Sequence, residues 1–594
     1  MSTYGSCVRG VARPIVLAFV STLVALAATP PPKPGCEYKV IDATKWGNKE
    51  LKNPPAISSA NGTLRTNLRV TYTETTIGGC GVKLRSYVAS GAEAGGSTAL
   101  VGPTLRIKPG DALEPDLINE LPKESAKEIQ AQFEQENNAA YITTRPHSFN
   151  TTNLHTHGLH VSPNGNSDNV LLAILPGTHQ QYNIKLPPNH PRGTFWYHAH
   201  SHGSTAIQVG SGMAGALIVE DDETRIPAAL RAANQHEKIM VLQSILYDTQ
   251  GQIEQIAALF PDPNNPDPNN PNGRVPKQAC AAEPPPQTTW FCSKRRITIN
   301  GQIVPIIRMR PGEVQRWRMI DTSFRESISL TLNNAVPSLP GLDLNEIALD
   351  GIYLGRVDIW PAGGTPIDLE PGYRSDILVK ASATPGKYNL IDNAVPQGKG
   401  LLGGAEPENV LAQVIVEGEP MDMRLPTNEE MLPLAPFPGV NLNVTAVGVQ
   451  EVLFKLGTGL ENPNRNYFQV NYHSFNPDNV RILKLGATEA WHVTTIGDPP
   501  GVPNAIPPAP HVFHIHINPF QTLRSGPNGQ PEMVWKDTLL IPPAADVMLY
   551  TRYLDFTGTF VMHCHILDHE DLGMMELDEV TDTGLVDMNM NHAH

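Results

Sequence analysis

The chain has 594 residues, a formal charge of −15 and only 17% charged side chains. That length exceeds one domain and predicts three or four, each able to bury its own core. A hydrophobic content of 40% excludes disorder as the main state, and the missing basic block excludes an electrostatic nucleic-acid footprint. With 55 prolines and 49 glycines, long helices are disfavoured and short strands joined by turns are expected, so the fold class is all-β.

Arg9 and Arg13 precede an apolar run from Ile15 to Ala28, broken only by Ser21 and Thr22. Residues 1–28 therefore read as a secretory signal peptide cut near Ala27 or Ala28. The alternative is an uncleaved anchor, although the run is short for a bilayer span. The mature chain is expected to be exported to the periplasm or the extracellular space, with no membrane attachment, as a monomer. Loss of the signal takes Cys7 and leaves Cys36, Cys80, Cys280, Cys292 and Cys564. In an oxidising compartment four of the five would pair, and proximity favours Cys36 with Cys80 and Cys280 with Cys292. Cys564 is then left over.

A first β unit spans 36–222, with strands such as Leu100 to Ile107 and Ala214 to Val219 and a helical patch around Glu124 to Asn137. A second spans 223–420, with strands near Lys238 to Ser244 and Arg296 to Asn300. It carries a Pro/Asn-rich insertion at 261–273 that reads as a surface loop. A third spans 430–583, with strands near Val480 to Leu485, His511 to Asn518 and Thr559 to Met562, followed by a Met/His tail at 584–594. The phrases RIKPGDAL at 106, RMRPGEVQRWR at 308 and LKLGATEAWHV at 483 each place a Gly-centred turn before an apolar strand. Three units of similar size suggest an internal triplication.

Four short segments carry the chemistry: His155-Thr156-His157, His198-Ala199-His200, His511-Val512-Phe513-His514-Ile515-His516, and His563-Cys564-His565 with downstream His569 and Met574. On an extended backbone, side chains at i and i+2 share a face and the one between points away. Each His-X-His pair can thus enter one cavity together. By the same parity Cys564 faces away from His563 and His565, and His511 lies opposite His514 and His516. Two adjacent metal sites follow, one of imidazoles alone and one containing a thiolate. Two His, one Cys and a weak axial Met form the ligand set of a blue-copper electron-transfer centre. Zinc is the second choice, since it prefers four strong tetrahedral ligands and its structural sites usually hold several cysteines.

The motifs HTHG, GTFWYHAHSHG, HVFHIHINPF and HCHILDHEDLGMM, in that order, resemble the copper-binding motifs of the three-domain, laccase-like multicopper oxidases. The resemblance covers essentially the whole mature chain. It implies three consecutive cupredoxin-like Greek-key β-sandwich domains and four copper ions. Carried over by position, type 1 copper takes His511, Cys564, His569 and axial Met574, and type 2 takes His155 and His514. The type 3 pair takes His157, His198 and His565 on one ion and His200, His516 and His563 on the other. Val512 departs from the family, which often has proline there. His160 and His202 read as rim or supporting residues.

The resemblance further implies that a one-electron donor binds near the edge of His511 or His569, that Cys564 passes electrons on, and that four such transfers reduce dioxygen to two waters. Proton-relay candidates are Asp168, thirteen residues after His155, and Glu570, next to His569. The spacing after His155 departs slightly from the family. The expected partners are dioxygen and a small-molecule donor or metal ion. Phenol-type donors rank above metal ions, because no long Met-rich insertion accompanies the third unit. A metallo-oxidase acting on Cu(I), Fe(II) or Mn(II) is the enzymatic alternative, and a copper-binding cupredoxin-like protein the non-enzymatic one.

Overall fold

The computed structural model describes residues 33–36, 47–89, 100–124, 144, 146–247, 250–253, 295–401, 405–437, 448–458, 466–502 and 505–583. The segment 1–28, the insertion 261–273, the Cys280–Cys292 pairing, the helical patch beyond Glu124 and the tail 584–594 lie outside the described residues.

Among the described residues the strands form six sheets that face one another as three successive pairs. In the strand Thr63–Ile77, Leu64, Thr66, Leu68 and Val70 are buried while Arg65, Asn67 and other neighbours face outward. That alternation is the signature of a sheet with one face on a core. Leu64, Leu68, Leu117 and Tyr182 anchor the first core, Trp317, Met319 and Ile377 the second, and Trp491, Phe513 and Phe560 the third. Burying side chains of this size contributes about 1.5–3 kcal/mol each. No helix of the described residues is long and apolar enough to cross a membrane.

The middle and third units have the same strand path. In the middle unit one sheet runs Arg295–Ile299, Lys238–Leu246, Val314–Asp321, Arg374–Lys380, Leu344–Leu349, Ile352–Trp360. In the third it runs Asn466–Val470, Val449–Thr458, Thr488–Ile496, Asp546–Arg552, Phe520–Ser525, Pro531–Lys536. The facing five-stranded sheets correspond strand for strand as well. The first unit keeps a shorter version, in which an isolated bridge from His155 to His198 stands where the third unit pairs His511–Ile515 with Gly558–Cys564. Repetition read from Gly-centred turns is thus present as a repeated connectivity.

Local boundaries differ from the sequence reading in physical detail. The strand expected from Leu100 begins at Thr104, because Pro103 has no N–H to donate and a Cβ at Gly102 would lie 2.3 Å from the Tyr197 hydroxyl. The strand expected to reach Asn518 ends at Ile515, where Ile517 turns the chain with φ of +53°. Cys36 and Cys80 are joined by a disulfide.

Buried charges knit the units together. Arg316 of the middle unit donates to Asp221 of the first at 2.7 Å, and Arg318 donates to Thr194 at 2.9 Å. Arg524 of the third donates to Glu346 and Asp358 of the middle unit, both at 2.5 Å. These contacts tie the first and the third unit to the middle one, and the first and third meet directly at the histidine motifs, where His200 Nε2 and His563 Nε2 lie 3.1 Å apart.

Candidate metal centres

His511 begins a buried strand of the third unit, and Cys564 ends the strand beside it. Their side chains point away from the junction, into the apolar core that also holds Met574. The chain then turns through a five-residue helix, Leu567–Asp571, which returns His569 to the thiol. His569 is therefore placed by a helix and not by strand alternation. The Cys564 Sγ lies 3.6 Å from His511 Nδ1 and 3.7 Å from His569 Nδ1, and the two nitrogens are 3.2 Å apart. Donors about 2.0–2.3 Å from one ion are about 3.3–3.8 Å apart at tetrahedral or trigonal angles, so these three atoms surround a single ion position. Met574 is fully buried, and its carbonyl accepts from the Cys564 N–H at 3.0 Å. Burial pushes the Cys564 thiol up to about 12, so it becomes a thiolate only with a cation beside it.

The remaining eight motif histidines line a chamber between the first and third units. His155 and His198 are bridge partners in the first, and His514 and His563 are register partners in the third. The motifs are therefore related by an approximate two-fold operation exchanging His155 with His514, His157 with His516, His198 with His563 and His200 with His565. The ring contacts obey it: His155 stacks on His516 and His157 on His514, each pair with centroids 3.9 Å apart. Two clusters of possible ligand atoms are exchanged as well, His157, His198, His565 and His200, His516, His563. His155 and His514 are each other's mates, so a ligand held by that pair sits near the axis. Beyond the motifs, His160 donates to the Ile517 carbonyl at 2.6 Å across the same junction.

Most rings are tethered from outside by one nitrogen, leaving the other free. His155 Nδ1 donates to Asp168 at 3.0 Å, His198 Nδ1 to the Ala199 carbonyl at 2.9 Å, and His514 Nδ1 to the Asp537 carbonyl at 2.8 Å. His157 Nε2 is 3.2 Å from Asp537. His200 and His563 turn their Nε2 atoms toward each other at 3.1 Å, with Glu570 behind both, 3.4 and 3.3 Å from the Nδ1 atoms. His155 Nε2, His157 Nδ1, His198 Nε2, His514 Nε2 and His516 Nε2 are buried without a hydrogen-bond partner. An unsatisfied buried nitrogen costs about 1–3 kcal/mol, so these five, together with the two unpartnered ring nitrogens of His565, mark a site built for cations. Burial keeps these rings neutral, lowering His200 to about 3 and His514 to about 4. Neutral imidazole is the metal-binding form.

Carboxylates frame the chamber. Asp168 accepts from the Thr156 N–H at 2.8 Å as well as from His155, and burial raises it to about 7. Glu570 is raised well above its usual range, chiefly by burial and then by Asp571, and accepts from Thr205 Oγ1 at 3.1 Å. Sequence reasoning missed Asp537, which touches His157 and His514 from a plain strand end without any motif. Burial works to raise it, but Arg374 outweighs that and holds it below the carboxylate range. A cavity of about 250 Å³ reaches the chamber at His200 and is lined also by His147, Ser201, His202, Phe475 and half-exposed Leu171.

Comparison with known proteins fits this arrangement. Profiles described as multicopper oxidase match residues 129–224 and 450–581. The chain is 25% identical over 429 residues to a laccase of Bacillus subtilis (strain 168), covering 66% of this chain and 72% of that one. It is 23% identical over 487 residues to the multicopper oxidase mco of Staphylococcus aureus, covering 81% and 82%. Among solved structures, a Campylobacter jejuni multicopper oxidase described as a metallo-oxidase superposes with a TM-score of 0.62 at 21% identity, covering 91% of this chain and 97% of that one.

Proposed function

Because this chain belongs to the multicopper oxidase family and is an oxidoreductase, we propose that it oxidises phenol-type donors one electron at a time and reduces dioxygen to water with four copper ions. The observation that carries this reading is the pairing of a His2Cys pocket with an eight-imidazole chamber, since thiolate, thioether and imidazole are the donors that select copper. His511, Cys564, His569 and Met574 would hold one ion. His155 and His514 would hold a second, and the two three-histidine clusters a third and a fourth. Bound copper supplies the one-electron chemistry at the pocket and the reduction of dioxygen in the chamber.

The protein's own residues divide the work. His563-Cys564-His565 joins the pocket to the chamber through a few covalent bonds, so the chain itself is the shortest conduit between them. Asp168 and Glu570, hydrogen-bonded to or in contact with chamber histidines, are placed to hand protons inward as oxygen is reduced. The cavity at His200 supports passage of dioxygen and water. At the donor end, His511 is 0% and His569 3% exposed. Partly exposed Phe468 lies 4.8 Å from the His569 ring, and buried Phe454 lies 5.5 Å from His511. The adjacent carboxylate, Asp568, although its Oδ1 has no hydrogen-bond partner, is buried and ion-paired to Arg325 at 2.5 Å. Among the described residues Phe468 and Phe454 form an apolar, aromatic cover, and that cover favours an organic donor passing an electron across the ring over a metal ion needing oxygen ligands. The Cys36–Cys80 disulfide supports an exported, oxidising location.

The test is a copper count with a visible spectrum, then oxygen uptake with a phenol and with cuprous ion under identical conditions. A band at roughly 600 nm and faster turnover with the phenol are expected. Faster turnover with cuprous ion would transfer the enzyme to the metal-oxidising class, and a colourless copper-loaded protein would remove the type 1 assignment.

A further inference from the structure

The middle unit contributes no histidine to either centre, yet one of its segments is wedged between the other two units. At Gly372 a Cβ would come within 3.2 Å of both the His157 and the His565 rings. Two residues on, Arg374 is fully buried and sends its guanidinium into the third unit, donating to the two Asp537 oxygens at 2.7 and 2.5 Å. It also donates to the carbonyls of Thr194 at 3.3 Å, Asp350 at 2.9 Å and Gly372 at 3.0 Å, and lies 3.8 Å from the Asp350 carboxylate. A single side chain of the middle unit is thus bonded to the backbone of the first and the carboxylate of the third. The fit leaves no slack: a Cβ at Gly158, next to His157, would fall 2.3 Å from the guanidinium and 2.5 Å from Asp537.

Asp537 carries this clamp into the chamber. Its Oδ1 faces His157 Nε2 at 3.2 Å and accepts from Thr538 Oγ1 at 2.8 Å, and its carbonyl accepts from His514 Nδ1. With those nitrogens engaged, Nδ1 of His157 and Nε2 of His514 are the atoms left for an ion. The two-fold mates are held differently. His155 is tethered by Asp168 of its own unit, which also accepts from the Thr156 N–H. The clamp is therefore specific to one half of the chamber.

We propose that Arg374 is a positioning residue through which the middle unit fixes His157 and His514, so that docking of that unit and retention of the ions held by those two rings are linked. This rests on reading the chamber as a copper cluster. Outer partners of metal-bound histidines are worth about 10–100-fold in metal affinity. Arg374→Met should therefore lose chamber copper to a chelator at least about tenfold faster than the parent enzyme while the 600 nm band persists. The type 2 copper signal in electron paramagnetic resonance should weaken in parallel. Arg374→Lys, which keeps the charge without the two-pronged fork, should fall between them.

Arg374→Met alone strands a buried carboxylate, so the double variant Arg374→Met/Asp537→Asn separates folding from positioning. It should regain thermal stability in the copper-free state and still release chamber copper early. Parent-like copper retention in the double variant, or loss of the 600 nm band in step with chamber copper, would overturn the proposal. Failure of the parent enzyme itself to bind copper would instead sink the reading on which it rests.

Discussion

Met574 is buried in the same core as Cys564 and is hydrogen-bonded to it through the backbone; it is the proposed weak axial donor of the pocket, and axial ligation lowers a blue-copper potential relative to a non-coordinating side chain. Met574→Leu conserves volume, so the pocket should survive and its potential, followed by redox titration, should rise. Asp168→Asn and Glu570→Gln each remove a carboxyl proposed as a proton carrier beside the chamber without touching the pocket. Each should slow oxygen uptake about 10–100-fold while the rate at which a donor bleaches the blue colour under anaerobic conditions stays near that of the parent. At this scale the sequence was most readable where residues are adjacent: His563-Cys564-His565 names two sites in three letters. Asp537 and Arg374 were not readable, because each acquires its role from a partner in another unit, and a lone Asp in WKDTLL or Arg in GYRSD has no pattern of its own.

Alternation along strands separates His511 and Cys564 from their histidine neighbours, and a one-residue slip would exchange the contents of the two centres. Register is consequently the property these strands must protect. It is visible in the sequence as the odd and even spacing of the ligands. The helix Leu567–Asp571 was not visible, since five residues between two ligands are too few for a period to declare itself. Away from the copper sites, strands Ile328–Asn334 and Gly386–Asp392 are pinned by Asp392, whose Oδ1 accepts from the Ser329 N–H at 2.9 Å. Burial raises the Asp392 carboxyl from 3.8 to about 7 against the pull of that N–H. A carboxyl raised on folding stabilises the protein fully below its unfolded value near 4, and that contribution disappears as pH climbs through 7. Asp392→Asn should therefore raise the midpoint of thermal unfolding at pH 8 relative to the parent and leave it nearly unchanged at pH 4, as measured by calorimetry.

Three sandwiches with a repeated strand path divide their duties unequally. The third holds every ligand of the thiolate pocket, the first and third share the chamber, and the middle one reaches it through Gly372 and Arg374. The recurrence of Gly-centred turns made the three-part plan legible, but the packing of the first unit on the third was not, because contacts between distant segments leave no local trace. Since a ligand that binds only the folded state stabilises it by mass action, stripping copper should lower the thermal midpoint. Restoring copper should return it in proportion to chamber occupancy, read by metal analysis alongside the melting curve.

The location of the pocket inside one unit and of the chamber between two sets a schedule for maturation. His511, Cys564, His569 and Met574 can come together as soon as the third sandwich is folded, whereas neither three-histidine cluster exists until the first has closed on it. Copper added to refolding chains should then colour the protein before the protein respires. Stopped-flow absorbance near 600 nm, run beside an oxygen electrode, would record the interval, and oxygen uptake that began before the colour would contradict that order.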